Sequence, residues 1–107
     1  MVSTTSVTVQ SWQSTETPDE VSIHQLMTAE GLKIYRWSNA PAEVYDAHTH
    51  DFHKVVYVVD GSITFNLPEH DQSLYLKIGD RMDLPAGIVH EAVVGDDGVV
   101  CLEGHRY

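Results

Sequence analysis

The chain has 107 residues, 42% of them hydrophobic, with 7 glycines and 4 prolines, which suits one globular domain and excludes a disordered chain. Its 16 acidic against 6 basic residues give a formal charge of -10, which repels phosphate backbones and anionic lipid and argues against nucleic acid or a membrane surface as a partner. The one cysteine, Cys101, rules out an intrachain disulfide, and no apolar run is long enough to span a bilayer.

Met1 to Gln10 lack the basic and apolar regions of a secretory signal, so a cytoplasmic location is expected. Met1 to Thr15 are rich in Ser and Thr. Within them Val7 and Val9 alternate with Thr8 and Gln10, which predicts a short edge strand. Such a strand needs a partner, and a second subunit's sheet is the one expected. Thr17-Pro18-Asp19-Glu20 predicts a helix start, with Thr17 as cap, Pro18 in the first turn and Glu20 completing a capping box. Gly31 is the natural stop, so a helix is expected over 18–30. Its faces are Val21, His24, Gln25 and Thr28 on one side and Ile23, Leu26, Met27 and Glu30 on another.

From Leu32 onward the pattern is strands and turns. Leu32, Ile34 and Arg36 alternate with Lys33, Tyr35 and Trp37, and Ser38 to Pro41 form a turn. Val44 to His50 follow as a strand. Val55 to Val59 are apolar on both faces, so both must be covered: one by a barrel interior, the other by the helix, a second sheet or another subunit. These two needs, the orphan N-terminal strand and the two-sided run, predict a homodimer. Asp60-Gly61 predicts a hairpin. Ile63, Phe65 and Leu67 form the next strand, Pro68 to Ser73 a loop, and Leu74, Leu76 and Ile78 a further strand that ends at Gly79-Asp80. Met82 and Leu84 lead to Pro85-Ala86-Gly87. Val89 to Val94 form a strand, Gly95 to Gly98 a turn, and Val99 to Leu102 the last strand. Many short strands at this spacing indicate an all-β sandwich or barrel. The division expected is an N-terminal strand and helix extension over 1–31 and a barrel over 32–107.

Two segments carry chemistry. His48 and His50 lie two apart, so a regular strand points both rings the same way, a common arrangement for binding a metal. Residue 54 shares their parity, and His90 follows a Pro-x-Gly turn on a separate strand. His48-Thr49-His50 with Lys54 and Gly61, then Gly79, Pro85, Gly87 and His90, resemble the paired motifs of the cupin superfamily. The resemblance covers about residues 32–102, and the helical preface with VVYVVDG resembles small single-domain bacterial cupins. It implies a jelly-roll β-barrel with a short N-terminal helix, and a metal ion on His48, His50 and His90 with water in the open positions. The second motif departs at Val94, where some cupins carry asparagine.

The larger departure is Lys54, which stands where a typical cupin carries a glutamate ligand. An ammonium has no lone pair for a metal. Lys54 is therefore a candidate catalytic residue that anchors an anionic substrate or acts as a base, a neutral amine ligand, or a residue turned away and paired with a carboxylate such as Glu91. His53 is a rival fourth ligand if a bulge reverses its parity, and Asp51 could orient a histidine. His24, His70 and His105 read as surface residues, and Cys101 as an inert core thiol. Tyr35, Trp37, Tyr45 and Tyr57 are either core or pocket wall.

Imidazole donors accept iron, zinc, nickel, manganese or copper, so the divalent metal is left open. The function expected is a small metalloenzyme acting on a small anionic molecule, first a dioxygenase and second an isomerase. The alternative is a non-catalytic binding or sensing module with a structural metal.

Overall fold

The computed structural model describes residues 7–13, 15 and 17–107. Strand β1 is Thr8–Gln10, helix α1 Glu20–Ala29, β2 Lys33–Asn39, β3 Val44–His48, β4 His53–Leu67, β5 Gln72–Lys77, β6 Arg81–Leu84 and β7 His90–Arg106. The chain is thus all-β with one helix, and every strand pairing is antiparallel. Among the described residues no helix is long and apolar enough to cross a membrane.

Two strands of unusual length organise everything else. β4 has 15 residues and β7 has 17, and they pair from His53 opposite Arg106 to Asn66 opposite Glu91. The early part of β4 also pairs with β6, and β1 pairs with β6. The later part of β4 pairs with β5. The early part of β7 pairs with β3, and its later part with β2. Each long strand therefore serves two sheets, and the core lies between them: Val56, Val58, Ile63, Phe65, Leu67, Leu76, Met82 and Cys101 are all buried.

The passage from one sheet to the other corrects two sequence expectations. Asp60-Gly61 is not a hairpin but a kink within β4, with register shifts on both sides of it. Gly95 to Gly98 likewise do not end a strand, because β7 runs on to Arg106 rather than stopping at Leu102. The residues before and after each kink pair with the other long strand, not with each other. A positive-φ glycine serves a bulge as well as a turn, so the local signal was the same for both. Gly61 has φ 72°, and a Cβ built there would lie 2.0 Å from the Gly98 carbonyl oxygen.

Helix α1 starts later than the sequence suggested. Asp19, not Thr17, is the cap, its carboxylate accepting from the Ser22 amide at 2.8 Å. A carboxylate there also suits the positive end of the helix dipole. At the far end Gly31 takes φ 74°; its N–H donates to the Thr28 carbonyl and that of Leu32 to the Met27 carbonyl, which satisfies the last turn. Ile23 and Met27 are fully buried against Leu32, Val55, Tyr57 and Leu102, while Leu26 stays exposed. The Arg81 guanidinium ties the helix end to the barrel, reaching Glu30 at 2.5 Å, Asp83 at 2.9 Å and the Tyr57 hydroxyl at 3.2 Å.

Both grounds for a homodimer are met within the chain. β1 finds its partner in β6, and the apolar run of β4 is covered by the core on one face and by α1 on the other. The part of the N-terminal strand expectation that falls on residues 1–6 lies outside the described residues.

Gly61→Ala is expected to lower unfolding stability by more than about 2 kcal/mol in urea titration, since it adds both strain and a backbone clash. Gly87→Ala, at φ 83° but with open space around it, should lose only about 1 kcal/mol. Equal losses at the two positions would remove the clash from the account.

Candidate metal centre

The two motifs are joined by backbone hydrogen bonds. His48, the last residue of β3, pairs across the sheet with His90, the first of β7. His50 lies beyond the end of β3, and its carbonyl accepts from the Gly87 amide at 2.8 Å. Strand parity, the reason for expecting His48 and His50 to converge, therefore does not act here: a register shift precedes His48 and the strand ends before His50. The turn at Gly87 holds His50 in place instead.

The three rings converge. Ring centroids are 4.3 Å apart for His48 and His90, 4.9 Å for His48 and His50, and 5.2 Å for His50 and His90. Their ligand-type nitrogens lie within 4.8 Å of one another, and no other such group occurs among the described residues. His48 Nδ1 is 2.6 Å from the Asp46 carbonyl and His90 Nδ1 is 2.9 Å from that of Ile88. A carbonyl only accepts, so each Nδ1 carries the proton and each Nε2 presents its lone pair. The Nε2 atoms of His50 and His90 are buried without a hydrogen-bond partner. Burial pushes the His90 imidazole down to about 4, helped by Lys54 and the other two rings and opposed by the Ile88 carbonyl. Burial, then Lys54 and His48, also lower His50. A metal needs imidazole lone pairs turned toward one point; His48 and His90 present theirs through their fixed tautomers, and the buried Nε2 of His50 and His90 have no other partner, so the residues fit a divalent metal.

A cavity of about 220 Å³ opens onto the rings. Trp37, Tyr45, Phe65 and Ala92 form its apolar wall, and Lys54 and Glu103 its charged side. Lys54 is only 7% exposed, and its Nζ lies 3.2 Å from Glu103 Oε1. Glu91, the carboxylate considered from the sequence, is not the partner. It sits opposite Asn66 at the other end of the β4–β7 pairing, whereas Lys54 sits opposite His105, diagonal to Glu103 on the same face.

Glu103 is the residue that sequence reasoning missed. It lay beyond the strand end assigned at Leu102. Its carboxylate also accepts from Trp37 Nε1 at 3.0 Å and faces His105 Nε2 at 2.5 Å. Burial works to raise Glu103, but Lys54 and His105 outweigh it and hold the carboxyl below its ordinary range. His105 is accordingly not a frayed surface residue: its ring packs 4.1 Å from Phe52 and 4.7 Å from Tyr35.

The remaining expectations sort by position. His53 opens β4 opposite Arg106 and is not in the histidine group. The ring-orienting role considered for Asp51 falls to the Asp46 and Ile88 carbonyls. His24 stays on the helix surface beside Thr28, and His70 lies in the turn between β4 and β5. Trp37 and Tyr45 line the cavity, while Tyr57 packs under the helix. Cys101 is fully buried, which raises its thiol far above the ordinary value.

No protein-family model matches the sequence, and no curated protein matches it significantly. Solved structures do. A DUF861 family protein from Thermotoga maritima has a TM-score of 0.62 at 15% identity, with 94% of this chain and 99% of that one covered. An RmlC-like cupin from Shewanella frigidimarina has a TM-score of 0.60 at 23% identity, covering 69% and 64%. The DMSP lyase DddQ from Ruegeria pomeroyi has a TM-score of 0.65 at 22% identity over 71% of this chain, which spans only 38% of that protein. The chain has the fold of a small cupin, and its three-histidine group fits a metal-binding one.

The lowered His90 value has a consequence for metal-free protein. Between about 6.5 and about 4 the unfolded chain takes up a proton that folded His90 refuses. Its contribution is thus fully present above that window and is lost as pH falls through it. His90→Gln should flatten the fall in chelator-treated protein, by at most about 3 kcal/mol across the window. Parallel stability–pH curves for the two proteins in urea would contradict the assignment.

Proposed function

We propose that this protein is a small metalloenzyme that holds a divalent cation on His48, His50 and His90 and acts on a small anionic molecule. The observation that carries the reading is the pair of buried, partnerless Nε2 atoms on His50 and His90. Such atoms are costly unless something ligates them. A structural site would be closed by a fourth protein ligand. Lys54 is instead ion-paired with Glu103, and His53 lies outside the group. Room is left for an exogenous ligand.

When bound, the metal would supply Lewis-acid polarisation of a ligand oxygen. The chain's own residues do the rest. Trp37, Tyr45 and Phe65 exclude water and orient the ligand. Lys54 holds its negative charge, and the ammonium–carboxylate pair with Glu103 can pass a proton. That pair supports the isomerase version, because proton transfer to and from carbon is the step such groups carry out directly. The cavity, about 220 Å³, is smaller than the ~300–1,000 Å³ of drug-sized sites, which supports a small ligand.

Elemental analysis should find near-stoichiometric divalent metal in wild-type protein and little in His48→Ala or His90→Ala. With metal present, small keto acids in D2O should lose their exchangeable C–H signal in proton NMR, and a chelator should abolish the loss. Wild-type protein that stays metal-free after reconstitution would sink the reading. Metal without exchange would turn it toward oxygen chemistry or ligand binding alone.

A further inference from the structure

We infer that the Lys54–Glu103 pair sets the ligand class of this site: a small dicarboxylate or related dianionic acid, one oxygen toward the metal and another on the Lys54 ammonium. The inference rests on the metal reading above and deepens it.

Charge accounting is the first argument. As metal ligands the three imidazoles bring no charge, and Lys54 cancels Glu103 across 3.2 Å. The protein groups around the cavity therefore sum to zero, and a bound dication keeps its full charge of about +2 for an exogenous ligand. A glutamate at position 54 beside Glu103 would make the protein share about -2 and leave the loaded site neutral. The lysine thus moves the preferred ligand from neutral to dianionic.

Donor accounting is the second. An ammonium offers three N–H donors. Among the described residues Glu103 is the acceptor the structure gives Lys54, although Lys54 is 7% exposed and lines the cavity. Buried donors without acceptors are costly, and a ligand oxygen in the cavity removes that cost. Glu103 is a positioning residue here: it is braced by Trp37 and His105 from the side and holds the Lys54 head at the cavity wall.

The test uses zinc-loaded protein, calorimetry with malonate, and malonamide as a neutral probe of the same shape. Lys54→Gln is expected to weaken malonate binding by at least about tenfold while zinc binds more tightly, since Glu103 is left unpaired. Glu103→Gln should do the reverse, weakening zinc and strengthening malonate. The double variant should return zinc affinity toward wild type. It also serves as the folding control, because it leaves no charge buried alone. A merely structural pair would move both affinities in the same direction or neither. Malonamide binding as tightly as malonate, or malonate binding unchanged in Lys54→Gln, would overturn the inference while leaving the metal reading intact. Wild-type protein that binds no zinc would overturn both.

Discussion

The fold depends on one constraint: β4 and β7 pair with each other on both sides of their shared kink while both change sheets. A sheet change in a single strand would leave backbone N–H and C=O groups without partners inside the molecule, which is costly. Kinking both strands together lets the ladder resume on the far side of the kink. Gly61 meets the Gly98 carbonyl so closely that no side chain fits between them. The same pairing places Lys54 on β4 diagonal to Glu103 on β7, and it brings His90 to the point where β7 begins. The cavity's charged wall and one of its three histidines thus follow from one strand pair, and β2 and β3 supply Trp37, Tyr45 and His48.

The cavity's polar groups are better explained by binding than by stability. A buried ion pair seldom beats well-packed apolar residues of the same volume, because desolvating both charges offsets their attraction. Two buried imidazole nitrogens with no partner add further cost. These groups open onto one cavity, whereas the core cluster between the sheets is built of aliphatic and aromatic side chains with the sulfur groups of Met82 and Cys101. That separation places the unfavourable groups where a ligand can satisfy them.

How much was legible in the sequence depended on how local each signal was. The glycine, proline and histidine spacings marked the histidine group because the turns between them ask for their residues locally: Gly87 takes φ 83° and its amide donates to the carbonyl of His50. Asp60-Gly61 was misread because a kink and a hairpin ask for the same dipeptide. Glu103 was missed because nothing near it is unusual; its meaning comes from Lys54, Trp37 and His105, which are 49, 66 and 2 residues away. The partners of β1 and of the apolar run of β4, which are β6 and α1, were not legible because they lie far along the chain.

The sequence by itself determined the all-β class and the helix with its glycine stop, because period-2 alternation and capping act over a few residues, and it marked the three histidines through the spacing of their motifs, not through strand parity. Tertiary structure alone decided that the two long strands run unbroken through their glycines, that β1 and α1 cover the barrel from within the chain, and that Lys54 faces Glu103. Those outcomes turn on which distant backbone a residue pairs with, and hydrogen bonds between distant strands leave no mark on local composition.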